Sequence, residues 1–302
     1  VEIDVRIVLP PAQRQRLADG APGMTIRYPA EGAASDAPII FGNPDPAIVA
    51  GNPNLRWMQL ESTGFGEYAD LDWRRAHAAV QVTNLAGFFA DPVAETALAG
   101  ILALLRGIDR LCTLRAAADW IGDDIRPTLG SLSGAPVVLF GRGSINSRLG
   151  QLLAPFDCPI ESFGRDWSAA QLDQALARAR VVVATVPHSP GTEGLFDAAR
   201  IARMRPDTIF CNLGRGTLVD EAALARALQS GQLGGAVIDV TRTEPLGRDH
   251  PFWTTPNTIL TQHSGGGTSD EVNRKIDWFL ANLQRFRAGD PLKATIDLVK
   301  GY

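Results

Sequence analysis

Apolar residues in this chain gather into short runs, separated by helically spaced stretches or by turns rich in Gly, Pro and Asp. Runs over 3–9, 38–42, 56–60 and 80–84 read as short buried strands. From Pro92 to about Ala118 the pattern changes. Val93, Ala94, Ala97, Ile101, Leu104, Leu105 and Ile108 follow helical spacing, and apolar residues also fill much of the other face. This predicts a helix buried on several sides, which joins two domains, lines a subunit interface, or does both. Trp120 to Gly134 reads as an irregular connection. A second series of strands is predicted at 137–141, 159–163, 181–186, 208–213, 235–240 and 258–262. Helical stretches such as 168–179 and 220–230 lie between several of them, and a last helix over roughly 268–288 returns to the first domain.

This alternation argues a parallel, doubly wound sheet, which binds ligands beyond the carboxyl ends of its strands. At 302 residues the chain suits two domains better than one. The expected division is 1–95 plus 268–302 for one domain and 96–267 for the other.

Composition narrows the function classes. A net charge of -4 offers no basic face, which argues against nucleic acid. The start mixes acids into its apolar run, unlike a signal peptide. The longest apolar run, Ala97 to Leu105, is too short to span a bilayer, so no membrane partner is expected. Cys112, Cys158 and Cys211 are widely spaced, which suits a reducing, cytoplasmic compartment and buried structural thiols. The histidines form no HxxxH or HExxH spacing, so no metal is expected, and His77 reads as a surface residue.

Chemistry concentrates after the strands. Gly141, Arg142, Gly143, Ser144 and Ile145 follow a predicted strand and open a helix, matching GxGxxG except that Asn146 stands at the last glycine. The first glycine permits the tight turn, and the second lets backbone approach a pyrophosphate at the helix N-terminus. This points to a dinucleotide, against a plain structural turn. Gly164 then falls where an NAD site usually has an acid for the ribose hydroxyl, and Arg165 follows. An arginine can pair with a 2′-phosphate, so NADP(H) is favoured, with NAD(H) possible if Asp166 or Glu161 takes the acidic place. Arg215, Glu244 and His263 each follow a strand end and can converge. Together they can bind an anionic oxygen, tune a proton donor and supply the proton, as hydride transfer to a 2-keto acid requires. Singly, each also fits a salt-bridge arginine, a solvated turn glutamate or a structural histidine.

The chain resembles the D-isomer-specific 2-hydroxyacid dehydrogenase family over nearly its whole length, and is most similar to the glyoxylate/hydroxypyruvate reductase branch. The matching segments include Asn84-Leu85-Ala86-Gly87, Val93-Ala94-Glu95, Gly214-Arg215-Gly216 with Val219-Asp220-Glu221, Glu244-Pro245-Leu246, and His250-Pro251 through His263. The resemblance implies that Arg215 holds the substrate carboxylate and keto oxygen, that His263 donates the proton, and that Glu244 orients His263. It implies cofactor contacts from the Val186-Pro187 to Thr192 segment, and a contact between Asp239 and the nicotinamide carboxamide, where a loop-capping aspartate is the alternative. The loop around Thr63 and Gly64 resembles the family's cradle for the substrate carboxylate. Phe65, Phe88, Phe89 and Trp253 either shape the pocket or belong to the core.

The fold expected is therefore α/β, with two doubly wound parallel-sheet domains. One is a flavodoxin-like substrate domain and the other a Rossmann dinucleotide-binding domain, with a cleft between them. A homodimer built on the 93–118 helix is expected. The favoured reaction reduces a small 2-keto acid to the D-2-hydroxy acid. The alternatives are an NAD-linked dehydrogenase of a larger 2-hydroxy acid, or a cofactor-sensing binding protein on the same fold. Departures from the family pattern are Asn146, Gln262 in place of Pro before His263, Thr241-Arg242 in place of an aromatic, and the run Gly265-Gly266-Gly267.

Overall fold

The computed structural model describes residues 1–71, 73 and 80–298. The chain splits into two compact units, Val1–Phe88 with Thr268–Tyr302, and Phe89–Gly267. In chain order the first unit opens with β1 (Glu2–Val5), α1 (Pro11–Gly20), β2 (Thr25–Arg27), β3 (Ile39–Phe41), α2 (Pro46–Ala50), β4 (Trp57–Gln59) and β5 (Gln81–Thr83). The second unit holds α3 (Ala90–Leu105), α4 (Ile108–Ala116), β6 (Val137–Phe140), α5 (Ser144–Leu153), β7 (Ile160–Phe163), α6 (Ala169–Leu176) and β8 (Val181–Ala184). It continues with α7 (Ala198–Ile201), β9 (Ile209–Asn212), α8 (Glu221–Gln229), β10 (Gly235–Ile238) and β11 (Thr258–Leu260). The chain then returns to the first unit as α9 (Glu271–Ala288).

The first unit is a parallel sheet of order β2-β1-β3-β4-β5. Both faces are covered, so alternate residues of one strand enter different cores. Ile39, Phe41 and Trp57 face α9, where Phe279 stacks between Phe41 at 4.3 Å and Trp57 at 5.0 Å. Ile40, Met58 and Val82 pack on the other side with Tyr68 and Trp73. β2 has no counterpart among the predicted strands, because Thr-Ile-Arg on a sheet edge carries no apolar run. Its Arg27 is drawn instead by Asp4 and Asp36, each at 2.7 Å.

The second unit is a parallel sheet of order β11-β10-β9-β8-β6-β7. Val138, Phe140, Val182, Ala184 and Phe210 pack on the side of α6 and α8. Val137, Leu139, Val181, Val183 and Cys211 pack on the side of α3 and α5. Chain order reverses at β6, which pairs with β7 on one side and β8 on the other. That reversal opens a crevice at the carboxyl ends of the strands, the general ligand position of such sheets.

The predicted 93–118 helix is two helices. Gly107, at φ 62°, breaks it between α3 and α4. α3 buries Val93, Ala94, Ala97, Ile101 and Leu105 in the second unit's core. The expected boundary at 95/96 would cut this helix, and the division between units falls at Phe88/Phe89 instead. α4 buries none of its residues, and Ile108 and Leu111 are exposed on it. Cys112 is also exposed, Cys158 is half-buried, and Cys211 is fully buried with its thiol pushed up by desolvation. The expectation of buried thiols therefore fails at Cys112. His77 lies outside the described residues. Among the described residues no helix is long and apolar enough to cross a membrane.

Candidate active site

The nucleotide turn follows β6. Gly141 adopts φ 115°, and a Cβ there would lie 3.0 Å from Thr185 Oγ1. Gly143 caps α5 in an extended conformation, and a Cβ on it would meet nothing within 4 Å. The first turn of a helix leaves its amides without intrahelical acceptors. Ser147 N–H reaches Gly143 O at 3.0 Å, so the helix begins here and the amides of Ser144 and Ile145 have no intrahelical acceptor. A pyrophosphate fits that combination of open backbone and positive helix end. Asn146 is buried, and its Nδ2 donates to Gly141 O at 2.9 Å. The side chain therefore ties the turn together where a third glycine would only leave room.

Beyond β7, Arg142 crosses Gly164, where a Cβ would lie 2.9 Å from Arg142 Cδ. Its guanidinium donates to Asp166 Oδ1 and Ser162 O, both at 3.0 Å. Glu161 is paired with Arg178 at 2.9 Å. Both acids that could take a ribose hydroxyl are thus engaged with arginines. Arg165 is exposed beside Gly164. After β8, Thr192 Oγ1 donates to Pro187 O at 3.0 Å and accepts Ser189 N–H at 2.9 Å, which folds the loop that follows Val186.

Arg215 follows β9 between two glycines that have no room for a side chain. A Cβ on Gly214 would lie 2.6 Å from Val186 O, and one on Gly216 would lie 1.9 Å from Thr241 C. The Arg215 loop is therefore wedged between the loops after β8 and β10. Its Nη1 donates to Gly214 O at 2.7 Å, which leaves other N–H donors of the guanidinium fork for a ligand.

Glu244 Oε2 lies 2.6 Å from His263 Nδ1. Glu244 Oε1 accepts Thr241 N–H at 2.9 Å. A carboxylate only accepts, so Nδ1 carries a proton and Nε2 is the ring atom left to act. Burial pushes the Glu244 carboxyl up. The hydrogen bonds from His263 and Thr241 and the charges of His263 and Arg215 outweigh burial and hold it below its ordinary value.

His263 and the preceding Gln262 both take left-handed backbone, at φ 55° and 53°. Proline is locked near -65° and cannot adopt the Gln262 conformation. Asp239 holds this loop from within. It is buried, its Oδ1 accepts Thr261 Oγ1–H at 2.5 Å and Gly265 N–H at 3.0 Å, and its carbonyl accepts His263 N–H at 2.6 Å. Asp239 thus braces the loop that carries His263.

Arg215, Glu244 and His263 line one cavity of about 190 Å³ with His188, whose Nδ1 lies 2.9 Å from Thr217 Oγ1. A second cavity of about 400 Å³ touches Glu244 and His263 and is walled by Ile238, Leu246, Trp253 and Leu260. Among the described residues no group of three His, Cys, Asp or Glu side chains could hold a metal ion.

In the first unit, Thr63 and Gly64 lie in the loop after β4. Asn84 Nδ2 donates to Thr63 O at 2.8 Å, and a Cβ on Gly64 would meet nothing within 4 Å. A buried network supports this loop that sequence reasoning did not find. Gln59 Nε2 donates to Leu60 O and Asn84 O, and its Oε1 accepts from Thr83 and Asn282. A Gln within a strand of mixed polarity carries no signal of its own. Phe65 and Phe88 are core residues, whereas Trp253 is 45% exposed and lines the larger cavity.

Such a doubly wound unit, with a glycine turn after one strand and Arg, Glu and His after later ones, defines a dinucleotide-dependent oxidoreductase. The NAD-binding domain of the D-isomer specific 2-hydroxyacid dehydrogenases matches residues 98–265. Glyoxylate/hydroxypyruvate reductase B of Klebsiella pneumoniae (strain 342) is 31% identical over 271 residues, 80% of this chain and 80% of that protein. Hydroxyphenylpyruvate reductase of Plectranthus scutellarioides is 29% identical over 293 residues, 93% of this chain and 88% of that protein. The crystal structure of a D-isomer specific 2-hydroxyacid dehydrogenase family protein from Aeromonas salmonicida is similar with a TM-score of 0.82 and 27% identity, over 98% of this chain and 99% of that one. This chain belongs to the D-isomer specific 2-hydroxyacid dehydrogenase family. It is an NAD(P)-dependent oxidoreductase of that class.

Proposed function

We propose that the chain reduces a small 2-keto acid of the glyoxylate or hydroxypyruvate kind to the D-2-hydroxy acid. The observation that carries the reading is the cavity where Arg215 meets the Glu244–His263 pair, the latter at 2.6 Å. When bound, the dinucleotide supplies the hydride. The Gly141–Ile145 turn would hold its pyrophosphate, and the Val186–Thr192 loop and Asp239 would bound its nicotinamide half. Negative charge then develops on the keto oxygen, and a fixed cation with a proton source stabilises it. Arg215 fills the first role, and its fork also suits the substrate carboxylate. His263 gives the oxygen a proton from Nε2, while Glu244 holds Nδ1 and stabilises the cationic ring. In the first unit, the loop at Thr63 and Gly64 has the small residues that suit backbone N–H binding of a carboxylate.

The likeness to glyoxylate/hydroxypyruvate reductase B supports this substrate class. NADPH is favoured over NADH, because Arg142 and Arg178 neutralise the nearby acids and Arg165 stands beside Gly164. The exposed Ile108 and Leu111 of α4 support a homodimer.

A second reading, a dehydrogenase of a larger apolar 2-hydroxy acid, is favoured by the apolar cavity of about 400 Å³ against the Glu244–His263 pair. Initial rates with glyoxylate, hydroxypyruvate and phenylpyruvate, each with NADPH and NADH, decide between them. Faster turnover of the small acids with NADPH is the expected result. Preference for phenylpyruvate selects the second reading, preference for NADH removes the Arg165 argument, and unchanged rates in His263→Ala refute the catalytic assignment.

A further inference from the structure

The backbone at Thr241 and Arg242 is held from three sides. Thr241 N–H donates to Glu244 Oε1 at 2.9 Å. The next amide, Arg242 N–H, donates to Glu221 Oε1 at 2.7 Å. Gly216 meets the peptide joining these two residues from the side of Arg215, where a Cβ would lie 2.2 Å from Arg242 N. Glu221 is the first residue of α8, and its other oxygen faces His250 Nε2 at 3.4 Å. His250 Nδ1 accepts Phe252 N–H at 3.3 Å, so the ring's own proton sits on Nε2, toward Glu221. The Glu221 and His250 side chains are only 14% and 23% exposed. Neither has a part in the chemistry proposed above.

We propose that Glu221 is a positioning residue for the Glu244–His263 pair, with His250 holding Glu221 in turn. Two consecutive amides reach two carboxylates, Glu244 and Glu221. An amide bonded to an ionised acceptor is roughly twice as strong a contact as a neutral pair. Glu221 therefore anchors the turn from which Glu244 reaches His263, and keeps that turn against Gly216 and the Arg215 loop. Releasing Arg242 N–H frees the backbone directly after Thr241, whose own amide fixes Glu244 Oε1. The nucleotide turn at Gly141–Ile145 shares none of these contacts. The charged groups about Glu221 are His250 and Arg242, whose guanidinium reaches Glu193 at 3.3 Å. Those about His263 are Glu244, with Asp239, Arg215, His188 and Arg242 lining the same two cavities.

This role rests on the assignment of Glu244 and His263 above, so the first readout uses no substrate. Long-range proton–nitrogen spectra of the full-length, ¹⁵N-labelled protein at alkaline pH report the His263 tautomer, its signals assigned by their loss in His263→Asn. The parent is expected to hold the Nδ1–H tautomer that Glu244 selects. Glu221→Ala is expected to move His263 toward the Nε2–H form. Glu221→Asp keeps a charge at the helix start but is one methylene short of the Arg242 amide, so it is expected to do the same. It also stands in should the alanine variant fail to fold. In the rate assay, kcat should fall by about 10- to 100-fold while the KM for the dinucleotide stays within about twofold. A folded Glu221→Ala or Glu221→Asp protein that keeps the parental tautomer overturns the proposal. A parent without turnover on any 2-keto acid would refute the reaction assigned above, while the tautomer result would still decide whether Glu221 positions Glu244.

Discussion

Gly216→Ala tests how tightly the Arg215 loop is registered against the turn that carries Glu244. Gly216 is not in the left-handed region, so the site demands space rather than a special backbone. The added Cβ would lie 1.9 Å from Thr241 C, 2.2 Å from Arg242 N and 2.2 Å from Thr241 O. Ordinary contact begins at 3.4 Å, so the two loops must separate by about 1.5 Å. Every opposing atom is backbone, and no side-chain rotation can relieve the overlap. Overpacking of this kind costs about 1–3 kcal/mol in stability. The larger effect should be on turnover, since misplacing catalytic groups by about 1 Å can cost roughly 100-fold in rate. Steady-state kinetics with a 2-keto acid, run beside thermal unfolding of the same preparation, separate the two effects. A variant with kcat/KM within a few-fold of the parent, and an unchanged melting temperature, would refute the wedge between Arg215 and the Thr241–Arg242 peptide.

Two further outcomes are expected. Gly143→Ala should fold as the parent does, because its Cβ meets nothing within 4 Å, yet should weaken dinucleotide binding measured by titration calorimetry; an unchanged affinity would mean that no ligand approaches this backbone. Glu244 has a folded-state pKa below its ordinary value, so its contribution to stability is present above the ordinary carboxylate range and lost as pH falls through the lower folded value. The melting temperature of Glu244→Gln should therefore lie below the parent's near neutrality and converge with it on acidification, and a gap that stays constant with pH would contradict this.

Much of the fold is legible in the strands because both faces of each sheet are covered. Val137 to Phe140 and Val181 to Val183 are apolar at every position, with alternate residues entering different cores, and such runs stand out from any helical spacing. β2 was illegible because an edge strand of three residues, none of them fully buried, offers no apolar run to read. The helix break at Gly107 was illegible for another reason. Apolar residues continue past it in sequence, yet those before it enter a core and those after it do not.

In the site, the order of Arg215, Glu244 and His263 after successive strands was readable, because each follows an apolar run at a turn. Their supports were not. Asp239 beneath the His263 loop, Glu221 behind the Glu244 turn and Gln59 under the Thr63 loop look like ordinary polar residues along the chain. They become supports only when strands far apart in sequence end side by side.

Local pattern alone set the class of fold, the two sheets, the glycine turn and the three polar residues that follow later strands. Those features rest on local periodicity and on residue types with few uses. The packing of the folded chain brings Glu244 and His263 to 2.6 Å, leaves no room for a side chain at the two glycines beside Arg215, and gives Gln262 a backbone closed to proline. Contacts between distant loops are set by how the sheet brings its strand ends together, and no local pattern records an approach measured in tenths of an ångström.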